Sequence, residues 1–228
     1  LGPRALSVRE LLAILIGSGG RFGSAVDVAD KLLQHAGAGE SRGEEGLGSL
    51  RRLATLPPGV LENHLGIGSA TAARIVAALE LGRRTAAEGP GGDGPIRGPG
   101  DVFARIGPLL RDLQQEEFHA LLLNTQHRVI RNVLVTRGIL DAALIHPREV
   151  FRPAIVESAA GVILVHNHPS GDPSPSREDA LVTRQLVTAG AAVGIPVLDH
   201  VIIGGGTFVS LSQRGFIGPE KGKSEKGS

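Results

Sequence analysis

Residues 89–100 read GPGGDGPIRGPG, nine Gly or Pro in twelve positions. Glycine gives up too much backbone entropy, and proline lacks the amide, for such a stretch to form a helix or a central strand. The stretch therefore divides the 228-residue chain into two separately folding parts: a domain over 1–88, a linker over 89–100, a domain over 101–218 and a disordered polar tail over 219–228. With 41% hydrophobic residues each part has material for a core. The chain begins at Leu1 and contains no Met, so it is read as a fragment or a processed form.

Before the linker the apolar spacing is helical. SVRELLAILIGSGG opens on Ser7 as N-cap and ends in glycines, and SAVDVADKLLQHAG repeats that design. GSLRRLATL and GVLENHL are shorter helices, and GSATAARIVAALELGRR is a long one with Ala72, Ile75, Ala78 and Leu79 on one stripe. A small all-α domain is expected. After the linker DVFARIGPLLRDLQQ reads as a helix opened by Asp101. FHALLLN and HRVIRNVLVTRG read as adjacent strands, LDAALI as a third, HPREVFRPAIVESAA as a helix with Pro147 in its first turn, and GVILVHNH as a buried strand. The helix SREDALVTRQLVTAGAAVG and the strand pair PVLDHVIIG and TFVSLS complete an α/β domain, a mixed sheet with flanking helices.

The chemistry concentrates in HNHPSGDPSPSRED, residues 166–179. His166 and His168, two apart at a strand end, share a face and converge on one point. After one Pro/Gly turn, Asp179 falls in the first turn of the next helix. Two His, one carboxylate and an open position form a catalytic zinc arrangement, in which the metal lowers the pKa of water to about 7. The competing reading is local: a strand end, a loop, and a capping box in which Ser176 caps the helix and the acid at its third position reaches back. The combination favours the metal. A hydrolytic site also needs a base. Glu117, where the first strand begins, is the best candidate, its neighbour Glu116 points the other way, and Glu149 is the competitor; pattern alone does not choose between them.

The runs EEFHALLLN, LIHPREVFRPAIVESAAGVILVHNHPSGDPSPSREDALVTRQL and LDHVIIGGG closely resemble the RadC family, whose C-terminal domain is similar to the JAB/MPN fold of zinc-dependent isopeptidases. The resemblance covers about residues 101–218. It implies His166, His168 and Asp179 as zinc ligands, Glu117 as the base acting on zinc-bound water, and Ser176 bonding near the water or the oxyanion. Asn167 stands where eukaryotic isopeptidases usually carry Ser or Thr, which bears on the substrate. Asp199 and His200 either orient a ligand imidazole or form a buried polar pair.

LENHLGIGSATAARIVAALELGRR resembles the helix-hairpin-helix module of DNA-repair proteins. Gly66 and Gly68 allow a tight turn, and free amides at Ser69, Ala70 and Thr71 would hold a phosphate at the helix start. The alternative is a hairpin used only for packing. Residues 1–89 carry ten Lys and Arg against nine Asp and Glu, so general charge gives no reason to bind DNA.

The resulting expectation is a zinc-dependent hydrolase of metallopeptidase or isopeptidase type acting on a peptide or protein. The alternatives are a DNA-binding repair accessory and a metal-dependent nuclease; a two-His-one-carboxylate iron oxygenase is disfavoured because nothing suggests an oxo-acid cosubstrate site. There is no Cys and no apolar run long enough for a bilayer, so a cytoplasmic protein without a membrane partner is expected.

Overall fold

The computed structural model describes residues 2–19, 23–37, 47–65, 67–87, 94–138 and 145–218, and the chain divides into two compact units, 1–86 and 87–228. In the first unit the helices are α1 (Val8–Ile16), α2 (Ala25–Gly37), α3 (Leu47–Thr55), α4 (Pro58–Leu65) and α5 (Ser69–Ala87). Their apolar stripes supply one core that includes Leu12, Ile16, Leu32, Leu53, Leu61 and Ile75. Each such side chain, fully buried, contributes roughly 1.5–3 kcal/mol. Ser7 caps α1 with Glu10, as the sequence implies.

The second unit opens earlier than expected. Pro99 starts α6 (Pro99–Leu110), capped by Gly98, because proline at the first helical position lacks an amide that would have no partner there. Ile96 is buried, and its amide donates to the His127 carbonyl at 2.8 Å. The C-terminal part of the expected 89–100 linker is therefore structure of the domain; residues 88–93 lie outside the described residues, as do the tail 219–228 and all of the expected LDAALI strand except Ile145.

Strands β1 (Glu117–Leu123), β2 (Val129–Arg137), β3 (Gly161–Asn167), β4 (Val197–Gly204) and β5 (Thr207–Ser210) form one sheet in the order β2-β1-β3-β4-β5. It is mixed: β3 and β4 run parallel, and the other neighbours are antiparallel. Helices α7 (Pro147–Val156) and α8 (Arg177–Val193) cover one face with Phe118, Ala120, Leu122, Val162 and Leu164. Helix α6 covers the other with Leu121, Leu123, Ile163 and Val165. In β1 and β3 this parity, even numbers towards α7 and α8 and odd numbers towards α6, decides which polar groups can meet. Among the described residues no helix is long and apolar enough to cross a membrane.

Candidate metal centre

His166 is the last even-numbered residue of β3, so it points to the α8 side, paired across the sheet with Phe118. Its ring stacks on Phe118 with centroids 5.9 Å apart and is fully buried. His168 follows the strand; its backbone amide donates to the Ile203 carbonyl at 2.7 Å. Asp179 enters from the first turn of α8, also fully buried. His166 Nε2 lies 3.0 Å from His168 Nε2 and 3.1 Å from Asp179 Oδ1. His168 Nε2 is 3.4 Å from Asp179 Oδ2.

The surrounding bonds fix the tautomers. Thr183 donates its hydroxyl proton to the Asp179 carbonyl at 2.6 Å. With that proton spent, its oxygen accepts from His200 Nδ1 at 2.6 Å. Burial holds His200 well below the usual imidazole pKa, hence neutral, so its Nε2 accepts from His166 Nδ1 at 2.8 Å. On the other side His168 Nδ1 donates to the Asp172 carbonyl at 2.7 Å. Each ligand-candidate imidazole thus spends its N–H outward and turns an Nε2 lone pair inward.

Two lone pairs facing each other beside a carboxylate favour a cation, or a proton in its place, between them. The structure carries two marks of this. Asp179 Oδ1 is a buried oxygen without a hydrogen-bond partner, which normally costs about 1–3 kcal/mol. In addition the bond to Asp179 raises the His168 pKa, a proton serving in a cation's stead, against an opposing effect of burial. Burial pushes the Asp179 carboxyl up, but the closeness of the His166 and His168 imidazoles and the bond from Ser176 outweigh that and hold it well below the usual carboxylate range. Two imidazole nitrogens and one carboxylate oxygen, all within 4.8 Å of one another, fit a divalent ion with an N/O ligand preference.

The capping box and the His–His–Asp cluster coexist. Ser176 N and Oγ both donate to Asp179 Oδ2 at 2.7 Å, and Asp179 N donates back to Ser176 Oγ at 3.0 Å. One carboxylate oxygen serves the cap, and the other faces the histidines. The hydroxyl of Ser176 is thereby committed to Asp179, which differs from the oxyanion or water contact expected of it.

Glu117 is not brought to this centre. Being odd-numbered, it points to the α6 side, where Oε2 meets His119 Nε2 at 3.0 Å and Oε1 accepts from Arg137 Nε at 2.8 Å. His119 in turn meets Asn132 Oδ1 at 2.9 Å. Glu116 shares the parity of Phe118 and His166, and its charge is felt at His168. Glu149 pairs with Arg148 on the surface. Of the pair raised from LDHVII, His200 backs His166, while Asp199 ties Ser210 Oγ at 2.7 Å and Ser212 N at 3.0 Å, a purely structural anchor. The loop after His168 rests on the β4–β5 turn: a Cβ on Gly204 would come within 2.8 Å of the Gly171 carbonyl oxygen.

In the helical unit Gly68, Ser69 and Ala70 are exposed at the start of α5. The Thr71 amide is not free as expected; it donates to the Gly68 carbonyl at 2.9 Å, closing the tight first turn. Gly66 lies outside the described residues. Arg74 donates to the Leu15 carbonyl at 2.8 Å, and Arg83 and Arg84 both pair with Glu80, so these three cations hold the unit's own surface.

The mixed sheet with this His–His–Asp cluster defines a RadC-like JAB domain: residues 96–216 match the family model of that description, a metallohydrolase type of fold. Residues 1–73 match the UPF0758 N-terminal model. A UPF0758 protein of Moorella thermoacetica is 49% identical over 216 residues, 95% of this chain and 89% of the relative. One of Symbiobacterium thermophilum is 46% identical over 222 residues, covering 95% and 91%, and one of Geobacillus kaustophilus 46% over 216 residues, covering 95% and 91%. The chain belongs to the UPF0758 family of RadC-like proteins.

Proposed function

We propose that the JAB domain is a zinc-dependent hydrolase of the metallopeptidase or isopeptidase type, with His166, His168 and Asp179 as ligands and Glu116, in place of Glu117, as the base. The observation that carries this reading is the convergence of two inward Nε2 lone pairs on a buried carboxylate oxygen that has no other partner. A zinc ion bound there supplies Lewis acidity, bringing water to a pKa of about 7 and polarising a carbonyl. The protein's own groups do the rest. Thr183 and His200 hold the His166 tautomer, Asp172 holds that of His168, and Ser176 fixes Asp179 so that one oxygen stays turned inward. Glu116 takes the proton of the attacking water and returns it to the leaving amine nitrogen, a transfer that contributes about 10²–10⁴-fold in rate. Glu117 is spent on Arg137 and His119 and faces the wrong side of the sheet.

The test pairs metal analysis of the full chain with a screen of peptide and isopeptide-linked substrates, with and without chelator. Cleavage is expected to require the metal. Glu116→Gln should retain zinc and lose about 10²–10⁴-fold in rate, whereas Glu117→Gln should stay within a few-fold of the parent. An inactive Glu117→Gln beside an active Glu116→Gln overturns the assignment, and chelator-resistant cleavage overturns the metal.

A further inference from the structure

Asn167 lies between the two histidines but points away from them. On parity its side chain belongs to the α6 side of β3, where a core residue would be apolar, yet it is 1% exposed. Its carboxamide is fully used: Nδ2 donates to the Gln115 carbonyl at 3.1 Å, and Oδ1 accepts from the Glu117 amide at 2.9 Å. Those two backbone groups flank Glu116. One belongs to the peptide plane before its Cα and the other to the plane after it. The second plane is also held from the β2 side, where the Gly138 amide donates to the Glu116 carbonyl at 2.8 Å. The Glu117 side chain, clamped by Arg137 and His119, anchors the same strand end from the α6 face.

The backbone ladder between β1 and β3 ends at Phe118 and His166. Beyond that pair the Asn167 side chain continues what the backbone stops. With both flanking peptides held, φ and ψ of Glu116 are constrained, and by the parity of Phe118 and His166 its side chain belongs to the face of the sheet that carries the metal centre. We infer that Asn167 is a positioning residue: its carboxamide sets the backbone of Glu116 and so aims the carboxylate at the metal centre. This inference rests on the reading of Glu116 as the base. The amide is required because the task needs one donor and one acceptor on a single planar group; a hydroxyl on a shorter side chain does not span the two peptides.

The test uses the full chain loaded with cobalt(II) as an optical probe, so that it needs no substrate. Metal content and the visible absorption across pH are compared for the parent, Glu116→Gln, Asn167→Ala, Asn167→Asp and the double variant Glu116→Gln/Asn167→Ala, together with exchange of the Glu117 amide. All are expected to bind one equivalent of metal. Glu116→Gln should move the pH midpoint of the cobalt bands, and Asn167→Ala should move it in the same direction. The double variant should match Glu116→Gln alone, since a group acting through another adds nothing once that other is gone. Glu117 amide exchange should quicken at least tenfold in Asn167→Ala. Asn167→Asp keeps the acceptor for that amide and loses the donor to Gln115, so it should give a midpoint between the two, and it carries the comparison if the alanine variant does not fold. A parental midpoint in Asn167→Ala beside a shifted Glu116→Gln overturns the positioning role, as does loss of metal in Asn167→Ala, which would tie Asn167 to the ligands instead. An unshifted Glu116→Gln overturns the base assignment itself and the inference with it.

Discussion

Ser24 and Asp27 in the helical unit make the same reciprocal bonds as Ser176 and Asp179 in the sheet domain. In each pair the serine amide and hydroxyl donate to one carboxylate oxygen, at 2.8 and 2.7 Å in the first and at 2.7 Å for both in the second. Ser7 and Glu10 repeat the pattern a third time. The difference lies in the second carboxylate oxygen. At Asp27 and Glu10 it faces water on an exposed helix start. At Asp179 it is buried opposite two imidazoles and has no hydrogen-bond partner. A local motif that serves only as a cap in one unit also supplies one of three candidate metal ligands in the other, because there its carboxylate is buried against the histidines at the end of β3.

The largest expected effect separates the two uses directly. Asp179→Ala should remove most of the bound metal, weakening its affinity by more than the 10–100-fold typical of losing an outer partner, while Asp27→Ala should leave metal content unchanged. Titration of the full-length variants with zinc against a competing chelator checks both. Parental affinity in Asp179→Ala would reduce the third box to a cap like the other two.

A second pair sharpens the comparison at the level of threonine. Thr85 in α5 donates to the Leu81 carbonyl four residues back at 2.9 Å on an exposed surface, and Thr183 does the same towards Asp179 in the core. Only Thr183 also receives the His200 N–H. Thr183→Val should leave that buried donor unsatisfied, at a cost of about 1–3 kcal/mol, and loosen His166 enough to weaken metal binding roughly 10–100-fold. Thr85→Val should stay within about 0.5 kcal/mol. Denaturant unfolding and the same chelator titration measure both outcomes; equal effects on metal affinity would break the proposed chain from Thr183 through His200 to His166.

What was legible in the sequence follows the range of the interactions. The helices and strands show in apolar spacing, and HxH with SxxD sits within fourteen residues, so the ligand candidates lie in one quoted stretch. Local spacing alone singles out Glu117 as the base and turns Glu116 the other way, a choice that such spacing does not control. Which of two adjacent residues faces the centre depends on the register of β1 against β3, some fifty residues on, and a shift of one residue reverses it. The His200–Thr183 link and the Asn167 clamp are equally long-range. In sequence Asn167 is only an unusual letter between two histidines, with no sign that it turns its back on them. The boundary at Pro99 was missed for the opposite reason: Gly and Pro density marks a break, but Pro–Gly is also a good first turn of a helix.

The smallest expected effect concerns charge at the two exposed boxes. The bonds from Ser7 and Ser24 lower the pKa of Glu10 and Asp27 below their ordinary values, with the side-chain hydroxyl the largest contributor in each. A carboxylate whose pKa is depressed by folding contributes stability that is fully present above its unfolded value, about 4.3 for Glu and 3.9 for Asp, and that is lost as pH falls through the folded value. Ser24→Ala removes the largest cause at Asp27, so the Asp27 midpoint, followed by NMR of its carboxyl carbon in the full chain, should rise towards the ordinary value while that of Glu10 stays depressed. The metal centre should not respond, because Asp27 and Ser24 share no partner with it. A Ser24→Ala midpoint unchanged from the parent would mean that the hydroxyl bond does not hold in solution, and the likeness between the exposed boxes and the buried one would then be of sequence only.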